Sequence, residues 1–352
     1  MKIVIICGVA GGATAAARLR RLDETVEITI FERSGYISYA NCGLPYYVGG
    51  VIQNKKELTL QSPEGFWNRF RIRVKVHHEA TEIHPDRKTV AIQNLETGET
   101  FEESYDKLIL SPGAQPVRPK LPGIDSKRIY TLRTVEDTFR IREAVENGKL
   151  KSAVVVGGGF IGVETAENLR EMGLAVSLIQ RSNHILPPVD YDIASFLHTH
   201  MREKGVRLLL EKNVTGFEET AEGITVSLED AAPVTAEMAV LAIGVAPESG
   251  LAAKAGLALG VKGSILVNEH MQTSEPDIYA VGDAVSVTNA VTGQKAVIAL
   301  AGPANKQGRI AADHIAGLDA CYQGSVGSSV LKIFDMTAAF TGLNEQAAKA
   351  LG

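Results

Sequence analysis

Apolar positions along this chain fall into one arrangement that occurs twice. Residues 3–6 form a β-branched run, a glycine-rich turn follows, and a stretch rich in Ala, Leu and Arg leads to a second apolar run at 28–31. Residues 152–182 repeat the order, with apolar runs at 154–156 and 176–179 on either side of a glycine turn and a stretch of helix-forming residues. Short apolar runs bounded by glycine read as buried parallel strands, and the segment between them suits a helix. The pattern predicts a βαβ unit of about 30 residues, used twice.

Such a unit has a physical use. Glycines let backbone approach a pyrophosphate, whose charge then sits against the N–H groups and dipole of a helix N-terminus. In the second copy Gly157, Gly159 and Gly162 fill the three positions of GxGxxG; in the first these positions are Cys7, Val9 and Gly12, with Gly8 and Gly11 supplying flexibility. Cys7 stands where the tight-turn glycine is usual and is expected to be a buried small residue. One glycine turn alone is weak evidence, whereas two copies in full strand–turn–helix–strand context point to two bound dinucleotides. Glu32, 20 residues after Gly12, stands where a carboxylate accepts hydrogen bonds from ribose hydroxyls. The second copy has Gln180 there, followed by Arg181. A neutral amide beside a guanidinium favours a ribose 2′-phosphate, so NADPH is expected to serve at least as well as NADH.

Composition narrows the field. The 352 residues carry 36 Lys and Arg against 41 Asp and Glu, a net charge of −5 without a basic tract, which disfavours nucleic acid or an anionic membrane as partner. The apolar start of the chain imitates a signal peptide, but Gly8, Gly11 and Gly12 interrupt it and Arg18, Arg20 and Arg21 continue a helical pattern. The protein is expected to be soluble and cytoplasmic. Its three cysteines, Cys7, Cys42 and Cys321, are too far apart in sequence for a CxxC pair or a zinc motif, so no metal is expected and thiol chemistry rests on a single sulfur.

That sulfur is expected to be Cys42. It stands in Ser38-Tyr39-Ala40-Asn41-Cys42-Gly43-Leu44-Pro45, where the proline predicts a helix start that would stabilise a thiolate. Cys321 has no comparable context. Three further motifs follow: Leu108-Ile109-Leu110-Ser111-Pro112-Gly113-Ala114, Ala242-Ile243-Gly244-Val245-Ala246-Pro247-Glu248, and the run from Thr273 to Gly282-Asp283. In this order, with the glycine turns, they resemble the flavin-dependent pyridine nucleotide–disulfide oxidoreductases over essentially the whole chain. Within that family the Cys42 segment is most similar to coenzyme A-disulfide reductases.

The resemblance implies an α/β fold: two Rossmann-like, three-layer nucleotide-binding domains plus an incomplete C-terminal α+β interface domain. It implies an FAD domain at 1–115 and 245–322, an NAD(P)H domain at 116–244, and the start of a truncated dimerisation domain at 323–352, with a strand at 330–334 and a helix at 344–351. FAD would lie against Gly8, Val9, Ala10, Gly11, Gly12, Glu32, Arg33, Asn41, Ala80, Ser111, Gly113, Gly282, Asp283 and Ala301. NAD(P)H would lie against Gly157, Gly159, Phe160, Ile161, Gly162, Glu164, Arg181 and Gly244. Coenzyme A contacts carry over to Thr14, Arg18, Arg21, Ser38 and Asn41, and Arg69, Arg71 and Arg73 alternate in a strand-like run that would add charge.

By the same resemblance, electrons pass from NAD(P)H through FAD to Cys42, and on to coenzyme A disulfide through a Cys42–coenzyme A mixed disulfide, in an enzyme that is a homodimer at full length. Rival readings are a coenzyme A persulfide or polysulfide reductase, an NADH oxidase or peroxidase working through a Cys42 sulfenic acid, and a flavin redox sensor without turnover. The oxidases and peroxidases usually carry a histidine at the position of Ala10, which counts against them.

Overall fold

A computed structural model describes residues 1–351, and the chain divides into two compact units. The first comprises residues 1–39, 59–115 and 246–327; the second comprises 40–58, 116–245 and the terminal segment from 328. Among the described residues no helix is long and apolar enough to cross a membrane.

The first unit is built on a five-stranded parallel sheet. Its order is Ile278–Ala280, Lys107–Leu110, Lys2–Ile6, Glu27–Glu32, Arg73–Val76. Its central strands read as near-continuous apolar runs because both faces are covered: Ile3, Val4, Ile5, Ile30, Leu108 and Ile109 are fully buried. Helices Ala10–Leu22 and Ala301–Ile315 pack on each other through small residues, and a Cβ added at Gly308 would lie 2.4 Å from the Gly11 carbonyl oxygen. An antiparallel excursion, His78–His84, Thr89–Asn94 and Thr100–Ser104, belongs to this unit.

The second unit repeats the plan. Its parallel sheet runs Arg207–Leu210, Ala175–Gln180, Ser152–Val156, Met238–Leu241, Ile129–Tyr130, and its antiparallel excursion is Val214–Glu219, Ile224–Leu228 and Ala231–Ala236. Both repeats therefore form the α/β fold their sequence pattern predicts.

Two segments join this second unit from elsewhere in the sequence. Residues 40–58 contribute the short helix Leu44–Val48, which packs on helices Val135–Gly148 and Phe160–Glu171. The approach is close: a Cβ at Gly49 would sit 2.1 Å from Asn168 Oδ1. The terminal hairpin Ser329–Ile333 and Met336–Phe340 packs on helix Phe160–Glu171, and the helix Glu345–Lys349 follows it. Lys332 reaches the buried Glu167 at 3.2 Å, Phe340 stacks on Phe160 with centroids 5.5 Å apart, and Asn344 donates to the Pro187 carbonyl.

One local expectation is corrected. Arg69, Arg71 and Arg73 do not alternate along a strand. Arg69 lies in helix Pro63–Phe70, Arg71 is its left-handed cap at φ +53°, and only Arg73 begins a strand. Ser62 caps that helix by accepting from Gly65 N–H, with Pro63 following it; this cap and proline start a helix that the arginine spacing alone does not reveal.

Candidate functional site

In the first unit, parallel register sets the site. Ile6 pairs with Phe31 and with Leu110, and Leu110 with Ala280, so the strands end along one edge. The segments leaving that edge carry Gly8, Val9, Glu32, Ser111, Gly113, Gly282 and Asp283 together, which is where a parallel sheet holds a ligand. Helix Ala10–Leu22 begins there with no side-chain cap and no acidic residue in its first turn, leaving its N-terminal amides and dipole to an anion. A Cβ at Gly12 would lie 2.1 Å from the Cys7 carbonyl oxygen, so only glycine allows the turn to fold back on the helix. Gly12 N–H donates to Ser111 Oγ at 3.1 Å.

Glu32 is 4% exposed, and its two oxygens accept from Gly8 N–H at 3.1 Å and Ser34 N–H at 2.9 Å. A buried carboxylate fixed in this way presents its remaining lone pairs as an acceptor for hydroxyls. Cys7 is half-buried and takes φ +73°, the left-handed conformation that Gly157 takes at +110° in the second copy. The expected burial is thus only partial, and the turn keeps its shape with a side chain in the strained position. Asp283 lies in the short turn Gly282–Ala284, with Gly282 at φ +84° donating its N–H to Gln307 Oε1 at 2.7 Å. Ala301 opens helix Ala301–Ile315, also without a side-chain cap. Arg33 is engaged bidentately by Glu248 at 2.5 and 2.8 Å, and Ala80 pairs with Ile92 in the antiparallel excursion. This cradle fits a dinucleotide such as FAD in its glycine turn, bare helix end, buried carboxylate and Gly-Asp turn.

The second unit repeats the cradle with different chemistry. A Cβ at Gly157 would meet the Ala242 carbonyl oxygen at 2.2 Å, and one at Gly162 would meet the Gly157 oxygen at 1.9 Å. Helix Phe160–Glu171, which carries Ile161 in its first turn, follows Gly159 with no side-chain cap and no acid in that turn. Gln180 turns inward, accepting from Gly158 N–H at 3.0 Å and donating to Ser182 Oγ and the His184 carbonyl. Arg181 is exposed, and Gly244 takes φ +120°.

Cys42 is exposed and lies in the short turn Asn41–Gly43, directly before helix Leu44–Val48 with Pro45 in its first turn, as the sequence predicts. None of the three cysteines is in a disulfide. Asn41 Oδ1 accepts from Arg133 at 3.2 Å. The Tyr46 hydroxyl is pushed up to about 12, first by burial and then by the negative charges of Glu164, Glu167 and Cys42, so it stays protonated. Burial, reinforced by Glu167, raises the Glu164 carboxyl to about 7. The thiol, a protonated phenol and a carboxyl that titrates near neutrality thus share one electrostatic neighbourhood within the second unit.

The remaining sequence-predicted residues are dispersed over the first unit. Thr14 donates to Asn305 Oδ1 at 2.6 Å and Arg18 pairs with Asp313 at 2.6 Å. Arg21 and Arg69 both lie over the Phe70 ring, Arg71 lies over Trp67, and Ser38 takes φ +46°. Asn41 belongs to the second unit with Cys42. Sequence reasoning missed Arg133, Tyr46, Glu167 and Phe340; only the place of Gln180 at the end of its repeat's second strand, as Glu32 stands in the first, carried a readable signal for its turn-anchoring role.

Comparison with known proteins gives a consistent result. The model of the family described as pyridine nucleotide-disulphide oxidoreductase matches residues 1–308. A coenzyme A disulfide reductase of Staphylococcus haemolyticus is 35% identical over 343 residues, covering 97% of this chain and 76% of that protein. The structure of reduced Bacillus anthracis CoADR-RHD has a TM-score of 0.97 and 50% identity over 99% of this chain, which spans 63% of that longer protein. An NAD-dependent persulfide reductase from A. fulgidus has a TM-score of 0.96 and 38% identity over the whole of this chain and 66% of its own.

Proposed function

Because this chain belongs to the pyridine nucleotide-disulphide oxidoreductase family, we propose that it is an FAD-dependent NAD(P)H:disulfide oxidoreductase that reduces coenzyme A disulfide through Cys42. The observation that carries this reading is the setting of Cys42: exposed, outside any disulfide, and in electrostatic reach of the protonated Tyr46. The glycine turn at residues 7–12, Glu32 and Asp283 would hold FAD; the turn at 157–162 with Arg181 would hold the nicotinamide nucleotide. When bound, FAD supplies two-electron chemistry between nicotinamide and sulfur.

The chain's own part is thiol exchange. The Cys42 thiolate attacks one sulfur of the external disulfide, the S–S bond breaks, and one thiol leaves with a proton, giving a Cys42–coenzyme A disulfide. Two electrons and a proton then release the second thiol and restore the thiolate. Tyr46, held protonated, can donate a hydrogen bond to sulfur charge, and Glu164 can take up or give a proton near neutral pH.

Mass spectrometry of the native protein tests the assignment. Added coenzyme A mass on the peptide containing Cys42, removed by NADPH, supports it; a bare thiol or a sulfenic acid there overturns it. The likeness to a persulfide reductase favours one second reading, in which the same sulfur meets a persulfide. Relative turnover on coenzyme A disulfide and coenzyme A persulfide separates the two.

A further inference from the structure

In the first unit, remote in sequence from the glycine turns, the loop after helix Ala301–Ile315 meets the loop at 268–272. There His270, Asp319 and Cys321 place one ligand atom each within 4.8 Å of the others. We infer that these three side chains form a binding site for a thiophilic divalent cation, with zinc as the best match.

The donor spacing supports this. A zinc ion holds imidazole nitrogen at about 2.0–2.1 Å and thiolate sulfur at about 2.3 Å, which at a tetrahedral angle separates the two donors by about 3.6 Å. His270 Nδ1 and Cys321 Sγ lie 3.7 Å apart. In the metal-free protein the same nitrogen donates its N–H to the Ala320 carbonyl oxygen at 2.9 Å, a bond that aims Nδ1 into the cluster and that the ion would replace. One thiolate, one imidazole and one carboxylate are a zinc donor set, and the thiolate disfavours magnesium or calcium. The exposed Asp319 leaves the remaining position to water.

The site is also held in shape. Tyr322 N–H donates to the Glu269 carbonyl at 2.7 Å, locking the two loops together one residue from each principal ligand. The His270 ring stacks on His314 with centroids 4.3 Å apart, and His314 is anchored by the Tyr279 hydroxyl at 2.9 Å. His270 N–H donates to Asn268 Oδ1, fixing the loop that carries the imidazole. Such supporting contacts orient metal ligands. On binding, the S–H proton of Cys321 passes to solvent and a sulfur–metal bond takes its place; the imidazole proton leaves Nδ1, giving up the bond to Ala320, and is carried by Nε2, so that the neutral ring ligates through Nδ1.

The test uses FAD-loaded Cys42→Ser protein, so that the exposed thiol cannot contribute, kept reduced with a phosphine and dialysed against Zn2+. We expect one zinc per chain. Its affinity should fall at least about tenfold when Cys321→Ser or His270→Gln is added, and severalfold with Asp319→Asn. X-ray absorption should show one sulfur at about 2.3 Å beside nitrogen and oxygen at about 2.0–2.1 Å. Asp319→Asn, on an exposed carboxylate, keeps the test valid if either variant at the half-buried His270 or Cys321 fails to retain flavin. No zinc at micromolar concentration, zinc held equally well by the Cys321→Ser protein, or a zinc shell without sulfur overturns the inference. The outcome is independent of which disulfide the enzyme reduces.

Discussion

Glu32 and Gln180 stand at equivalent places in the two repeats and perform the same structural task with different charge: Glu32 accepts from Gly8 N–H at 3.1 Å, Gln180 from Gly158 N–H at 3.0 Å. Each ties the end of the second strand to the glycine turn. The carboxylate adds a negative charge to its cradle and the amide does not, so the two turns keep one shape with different charge beside it.

That difference predicts a coenzyme preference. Arg181 is the cation next to the neutral Gln180, and a charged hydrogen bond to a 2′-phosphate contributes about 1.5–3 kcal/mol. Arg181→Ala should therefore lower kcat/KM for NADPH by about tenfold to a hundredfold and leave NADH nearly unchanged. Steady-state kinetics with both coenzymes decide it; an equal loss for NADH, or none for NADPH, rejects the role.

Replacing the exchanging sulfur should separate binding from turnover. Cys42→Ser is expected to retain flavin absorbance and NADPH-dependent bleaching, and to lose disulfide reduction by at least about a thousandfold. Residual disulfide turnover at wild-type rate would place the chemistry on another group.

Glu164 gives a pH dependence whose sign is fixed. Its carboxyl titrates near 7 in the folded protein and near 4.5 when exposed. Between those values the folded state binds more protons than the unfolded state, so this group lowers stability as pH rises through the window, and its full cost is present above about pH 7. Glu164→Gln removes that cost. We expect the variant's stability advantage over wild type to grow from pH 5 to pH 8, reaching up to about 3 kcal/mol at the upper end and read as a rising Tm difference. A Tm difference independent of pH would mean that the carboxyl is not protonated near neutrality. Glu167 is also pushed up by burial, but Lys332 opposes that shift.

The two turns should respond oppositely to exchange of their first residue. Cys7 holds φ +73° at a cost of about 1–2 kcal/mol for an L-residue, partly offset by the unfolded-state entropy a glycine adds. Cys7→Gly should stabilise by about 0.5–1 kcal/mol. Gly157→Ala should destabilise by more than about 2 kcal/mol, since its Cβ meets a carbonyl oxygen at 2.2 Å as well as a positive φ. Thermal melts of the two variants check both signs.

Much of this was legible in sequence because it is local. The turns at 7–12 and 157–162, the strands beside them and the helix start after Cys42 follow from glycine, proline and β-branched positions a few residues apart. Arg69 and Arg71 misled because alternation of charge mimics a strand, while Ser62 and Pro63 start a helix. Tyr46, Glu164 and Lys332 could not be grouped from sequence, since their neighbourhood is made by helix 44–48 and the terminal hairpin both packing on helix 160–171. Cys321 and His270 meet where Tyr322 N–H bonds the Glu269 carbonyl, joining loops about 50 residues apart, and no spacing rule anticipates that.

The seam of small residues between helices Ala10–Leu22 and Ala301–Ile315 bears on the order in which the protein is made. On the ribosome, the first helix emerges about 290 residues before the helix that covers it. Its neighbouring strands Lys2–Ile6 and Glu27–Glu32 can pair at once, and Lys107–Leu110 can join them soon after. Gly11 and Ala15, however, wait for Gly308 while the intervening nucleotide fold is synthesised. Domains usually mature from the N-terminus onward as they emerge. Here the first part begun is among the last finished.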